Sequence, residues 1–76
     1  MNKERRKSLA EIAEQLECLR DELETLRDEE QEYYDNMPEG IQNSKRGEAA
    51  EEAVSNLDDA FDDIESAIGS INAAIE

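Results

Sequence analysis

AEEAVSNLDDAFDDIESAIGSINAAI, residues 50–75, decides the fold. Its apolar residues Ala50, Val54, Leu57, Phe61, Ile64, Ile68, Ile71 and Ile75 step by 4, 3, 4, 3, 4, 3, 4. An α-helix turns about 100° per residue, so this step keeps them on one stripe, as in a heptad repeat. Beside the stripe runs a second column, Ala53, Ala60, Ala67 and Ala74, spaced by seven. Small side chains at that spacing admit a neighbouring helix closely. The two columns cover about three positions in seven, the width of a bundle face rather than a two-stranded seam. Gly69 falls outside the stripe, at a cost of about 1 kcal/mol relative to Ala.

Upstream, Leu9, Ile12, Leu16, Leu19, Leu23 and Leu26 step by 3, 4, 3, 4, 3, and the same register meets Glu30, Tyr33 and Met37. No Gly or Pro precedes Pro38. The pattern predicts a helix over about residues 3–36, stopped by Pro38, which disfavours helical geometry in the residue before it. Pro38-Glu39-Gly40 reads as a turn, with Gly40 free to take positive φ. A loop over 37–43 is expected, with Ile41 plugging the hairpin end. Asn43 and Ser44 are candidate N-caps of a second helix over about 44–75. Each helix is about 30 residues, or about 45 Å, long. Equal lengths and a short connection predict one all-α domain over residues 1–76, a coiled-coil-like antiparallel helical hairpin. The core and oligomer residues are Leu16, Leu19, Leu23, Leu26, Leu57, Phe61, Ile64, Ile68 and Ile71. A lone hairpin leaves the wide face of the second helix partly open. Pairing of two hairpins into a four-helix bundle, as a homodimer, would bury it.

Charge sets the partner class. The 76 residues hold 22 acids and 8 bases, with no His, for a formal net charge of −14. Residues 1–7 carry net +3, residues 8–39 net −10, residues 40–46 net +2 and residues 47–76 net −9. The sides of the hairpin are therefore negative and its tips mildly positive. Direct binding to nucleic acid or to an anionic membrane is disfavoured by repulsion; a basic protein surface is favoured. Twice the formal −14 on a rod of about 50 Å is about one charge per 1.8 Å, close to the one per ~1.7 Å of duplex DNA. Such a dimer has the charge density of a DNA mimic. No apolar run has the length of a membrane span or resembles a signal peptide, and the single cysteine, Cys18, forms no internal disulfide. The expected location is the cytoplasm.

Asp58-Asp59 and Asp62-Asp63 form two acidic pairs one helical turn apart, suited to gripping Arg and Lys. A calcium loop would need alternating ligands on flexible backbone, and a dinuclear bundle site would need His; no metal site and no cofactor is expected. Tyr33 continues the core register, whereas Tyr34 falls outside it and is the better interface candidate. Glu22 and Arg27 occupy heptad positions g and e, where parallel first helices would bridge them between chains. Lys45 and Arg46 are expected to neutralise acids such as Glu32 or Asp35, with a role in partner binding as the alternative. Cys18 lies on the outer face, with acids at 17 and 21 nearby. Nothing in the chain pairs a nucleophile with a base, so no enzyme is expected.

The stretch EEQEYYDNMPEGIQNSKRGE, residues 29–48, resembles a motif of small acidic helical-hairpin proteins of bacteriophages and prophages of Gram-positive bacteria. That pattern runs aromatic-Asp-Asn-apolar-Pro-Glu-x-apolar-Gln-x-Ser-x-Arg, followed by an acidic, Ala-rich helix. Here it is carried by Tyr34, Asp35, Asn36, Met37, Pro38, Glu39, Ile41, Gln42, Ser44 and Arg46. The resemblance implies an accessory phage-type protein acting inside a bacterial host cell. Small proteins of that kind often bind and block a host factor. The expected function is therefore a non-enzymatic acidic binding module. It would inhibit or modulate a host nucleic-acid-handling or defence protein by covering its basic surface. The alternative is a structural assembly module whose charge only confers solubility.

Overall fold

A computed structural model describes all 76 residues. Two long helices, α1 (Lys3–Asp35) and α3 (Lys45–Ile75), lie antiparallel, joined through a one-turn helix, α2 (Glu39–Gln42). The rod measures 58 × 15 × 12 Å. One chain supplies a helical hairpin; its three helices do not make a four-helix bundle.

The chain ends of α1 follow from capping. Asn2 stands in extended backbone, and its side-chain oxygen accepts from the Arg5 amide at 2.8 Å, satisfying one of the free N–H groups of the first turn. At the other end the Asn36 amide donates to Glu32 O (3.0 Å) and the Met37 amide to Tyr34 O (3.1 Å). Pro38, with no N–H and φ −58°, then turns the chain out of the helix.

The connection departs from an open loop. The Pro38 carbonyl accepts from the amides of Ile41 (2.8 Å) and Gln42 (3.0 Å), winding Glu39–Gln42 into α2. No residue takes positive φ, so Gly40 is not used for left-handed backbone. The plug is Met37, which is buried, whereas Ile41 is 37% exposed. Ser44 is the N-cap of α3 by position, and its carbonyl accepts from the Glu48 amide at 2.9 Å. Its hydroxyl does not cap; it donates back to the Ile41 carbonyl and ties α2 to α3. The Gln42 side-chain amide donates to Tyr34 O at 3.0 Å, closing the turn on α1. Gly47 lies buried where α2 crosses the first turn of α3. A Cβ on it would stand 2.0 Å from the Gln42 carbonyl oxygen, well inside contact distance.

The register between α1 and α3 is written in three polar contacts: Tyr34–Glu51, Arg27–Asp58 and Arg20–Glu65. Each step is seven residues up one helix and seven down the other. These contacts occupy one flank of the hairpin. The buried side chains are Ala13 on α1, Met37, and Ala50, Val54 and Ile68 on α3. Leu16, Leu23, Leu57, Phe61, Ile64 and Ile71 are half-buried. A layer only two helices thick cannot close over both faces of such a core.

One expectation is corrected here. Of the apolar stripe of α1, only the Leu9, Leu16, Leu23 column faces α3. Ile12, Leu19, Leu26 and Tyr33 are 46, 54, 57 and 42% exposed. Leu19 and Leu26 are therefore not core of the hairpin, and neither is Tyr33. The helix is rolled toward the flank that holds Ala13, Arg20 and Arg27. Small Ala13 lets the backbones approach, and the two Arg stems lie along α3 with their guanidinium groups on Glu65 and Asp58.

Candidate interaction surface

The hairpin presents two different flanks. On the first, Arg20 reaches Glu65 at 2.7 Å and Asp21 at 3.1 Å, and Arg27 reaches Asp58 at 2.7 Å and Asp28 at 3.2 Å. Both guanidinium pKa values are raised further, that of Arg20 first by its hydrogen bond to Asp21 and that of Arg27 first by its bond to Asp58. Arg27 is therefore engaged within its own chain, on Asp58 and Asp28. Tyr34 closes the same flank. It is half-buried between the helices, and its hydroxyl donates to Glu51 at 3.5 Å. Desolvation, with help from Glu51, pushes its phenol above the ordinary value of 10.0.

The four aspartates singled out in the sequence divide. Asp58 is engaged by Arg27, while Asp59, Asp62 and Asp63 are exposed with no cation on them. Across the whole chain, ion pairs hold only Asp21, Asp28, Asp58 and Glu65, leaving 18 of the 22 acidic side chains without a cationic partner. The negative surface is thus offered outward rather than consumed by internal pairing.

At the loop end, Lys45 and Arg46 pair with neither Glu32 nor Asp35. Arg46 instead lies over the Tyr33 ring, 5.6 Å from its centroid, and its Nε donates to the Tyr33 hydroxyl at 2.7 Å. The contact holds Tyr33 against the loop although the residue remains 42% exposed. Met37, Pro38 and Ile41 complete a shallow depression beside it. Cys18 is free and exposed.

The second flank is apolar. It carries the exposed column Ile12, Leu19, Leu26 and Tyr33. Gln15, Cys18, Glu22, Thr25, Glu29 and Glu30 are its immediate surroundings, whereas the outer face carries Glu14, Glu17, Asp21, Glu24 and Asp28. The exposed column, Gly47 and Gln42 were not distinguished by the heptad pattern. The seven-residue spacing of 12, 19, 26 and 33 was the available signal.

No group of three His, Cys, Asp or Glu side chains converges in metal-binding geometry. No helix is long and apolar enough to cross a membrane. Comparison with protein-family models, curated proteins and solved structures gives no match for this chain.

Proposed function

We propose that the chain is a non-enzymatic acidic protein-binding module. Two hairpins pair into a four-helix bundle, and the outward carboxylates occlude a basic surface on another protein. The observation that carries this reading is the set of 18 acidic side chains without a cationic partner. On a paired rod 58 Å long, twice the formal −14 is about one charge per 2 Å, against one per ~1.7 Å for duplex DNA. A surface evolved to hold phosphates meets a comparable field here. The loop resemblance supplies the setting: a phage-encoded inhibitor or modulator, a DNA mimic in effect, acting in the bacterial cytoplasm on a host nucleic-acid-handling or defence protein.

The exposed column Ile12, Leu19, Leu26 and Tyr33 favours a second reading, an assembly module whose charge keeps it dispersed. One variant separates the two. Asp59, Asp62 and Asp63 are changed together to Asn, leaving Asp58 on Arg27. The chain and its variant are used to capture a partner from bacterial lysate, and each is then titrated into that partner's complex with nucleic acid. The binding-module reading expects displacement by the native chain and at least tenfold weaker displacement by the variant, with helicity unchanged. Equal capture by both chains, with no displacement by either, assigns the assembly role instead.

A further inference from the structure

Two columns with the same seven-residue step stand on the apolar flank. One is large: Ile12, Leu19, Leu26 and Tyr33 of α1, between 42 and 57% exposed. The other is small: Ala53 and Ala60, half-buried, and Ala67 and Ala74, exposed, on α3. Both lie away from the ion-paired flank. One residue back from Arg20 and Arg27 turns about 100° to Leu19 and Leu26; one residue back from Glu65 and Asp58 turns to Ile64 and Leu57, with the alanines next beyond. The ion pairs also fix heights along the rod. With Arg20 beside Glu65 and Arg27 beside Asp58, Ile12 stands level with Ala74, Leu19 with Ala67, Leu26 with Ala60 and Tyr33 with Ala53, each within about one residue, or 1.5 Å.

We infer that a second copy of this chain covers this flank, with the two-fold axis along the rod, both loops at one end, and α1 of each copy on α3 of the other. The inference rests on the paired-hairpin reading and adds its face and orientation. A two-fold along the rod preserves height, so each large side chain of one copy meets an alanine of the other with no axial shift. Both helix pairs then have the same large-on-small spacing. The alternative, with loops at opposite ends, sets α1 on α1 and α3 on α3. Large would meet large on one side and alanine meet alanine on the other, so two gaps that range over about 8–10 Å would have to differ across one rigid face.

Charge points the same way. Beyond the large column of α1 run Ser8, Gln15, Glu22 and Glu29. With loops together this column borders the partner copy's alanines and, at the level of Glu22, its Asp63; with loops opposed it borders itself along its length, Glu22 and Glu29 of both copies included. The area suffices: a side of 58 by 15 Å is about 870 Å², against ~800 Å² per partner in a standard interface. The opposing terms are the formal net charge of −14 on each copy and the basic tips, Lys3, Arg5, Arg6 and Lys7 of both copies, which share one end. They are exposed and are screened over about 10 Å at 0.1 M salt, so added salt tightens the pair.

Single-cysteine variants in a Cys18→Ser background test it. Leu19→Cys mixed with Ala67→Cys, and Leu26→Cys mixed with Ala60→Cys, are oxidised and run on non-reducing gels. Covalent dimer in both mixtures, with little from any variant alone, is the expected result. The two pairs are independent, and circular dichroism confirms that each variant is helical. Crosslinking of Leu19→Cys with Leu26→Cys, or of Ala60→Cys with Ala67→Cys, overturns the orientation. A dimer giving none of these products overturns the face. A mass of 8.6 kDa for the native chain at every concentration overturns pairing itself, which is a separate failure.

Discussion

Gly47→Ala should destabilise this protein although helix propensity says the opposite. An exposed helical Gly→Ala change is worth about 1 kcal/mol of stabilisation, and Gly47 lies inside α3 with no positive φ to protect. The added Cβ, however, would stand 2.0 Å from the Gln42 carbonyl oxygen, 2.4 Å from its carbonyl carbon and 2.6 Å from its Cα. All three are backbone atoms, so no side-chain rotation relieves the overlap. Reaching ordinary contact near 3.4 Å requires α2 to move about 1.4 Å from α3. That shift strains the Gln42 bond to Tyr34 O. Overpacking typically costs 1–3 kcal/mol, and here it acts on backbone, so a net loss of about 2 kcal/mol is expected. For a chain of this size that lowers the melting temperature by about 8–16 °C. Gly69→Ala is the internal control: nothing lies within 4 Å of its Cβ, so it should gain up to about 1 kcal/mol. Thermal melts followed by circular dichroism, at matched chain concentration because association shifts the midpoint, decide the matter. A Gly47→Ala chain as stable as the Gly69→Ala control would refute the close approach of α2 to α3.

Ile68→Ala removes a buried side chain and should cost about 2–5 kcal/mol at every chain concentration, measured by urea titration; Leu26→Ala, on the exposed column, should show a loss that grows with concentration, as expected of a residue buried only on pairing. Changing Arg20 and Arg27 together to Gln should lower the melting temperature at 20 mM salt, with the difference shrinking by 0.5 M, because the pairs on Glu65 and Asp58 are partly exposed and screened. Tyr34 has a raised phenol pKa, so the folded chain holds that proton more tightly than the unfolded chain. Its contribution is complete below about pH 10 and is lost as pH climbs through the raised value. In pH-dependent melts Tyr34→Phe should therefore flatten the alkaline fall in stability, and an unchanged slope would remove Tyr34 as its source.

The stripe from Ala50 to Ile75 made α3 legible because all eight of its positions agree with one helical period. Pro38 made the end of α1 legible because its ring fixes both itself and the residue before it. The roll of α1 was not legible. A 3–4 step names two apolar columns but not which of them faces the neighbour, and here Ala13 with the stems of Arg20 and Arg27 displaced Ile12, Leu19 and Leu26. Lys45 and Arg46 were read by charge, which predicted acids as partners. The structure gives Arg46 an aromatic face and a hydroxyl on Tyr33 instead, a contact that depends on the loop geometry. The close approach of α2 to Gly47 has no signal in the sequence, because it depends on how the connection folds across α3. Of the acidic residues, Asp59, Asp62 and Asp63 are exposed without a cation, while Asp58 is held by Arg27, 31 positions away in the chain.

Sedimentation equilibrium of the native chain beside Leu26→Lys tests the central claim most directly, that the column left outside the hairpin is covered by a second copy. The native chain should approach 17.2 kDa, twice its 8.6 kDa, at micromolar concentration and more completely as salt is raised. Leu26→Lys should sediment at 8.6 kDa with its helicity retained. Identical masses for the two chains would contradict the claim.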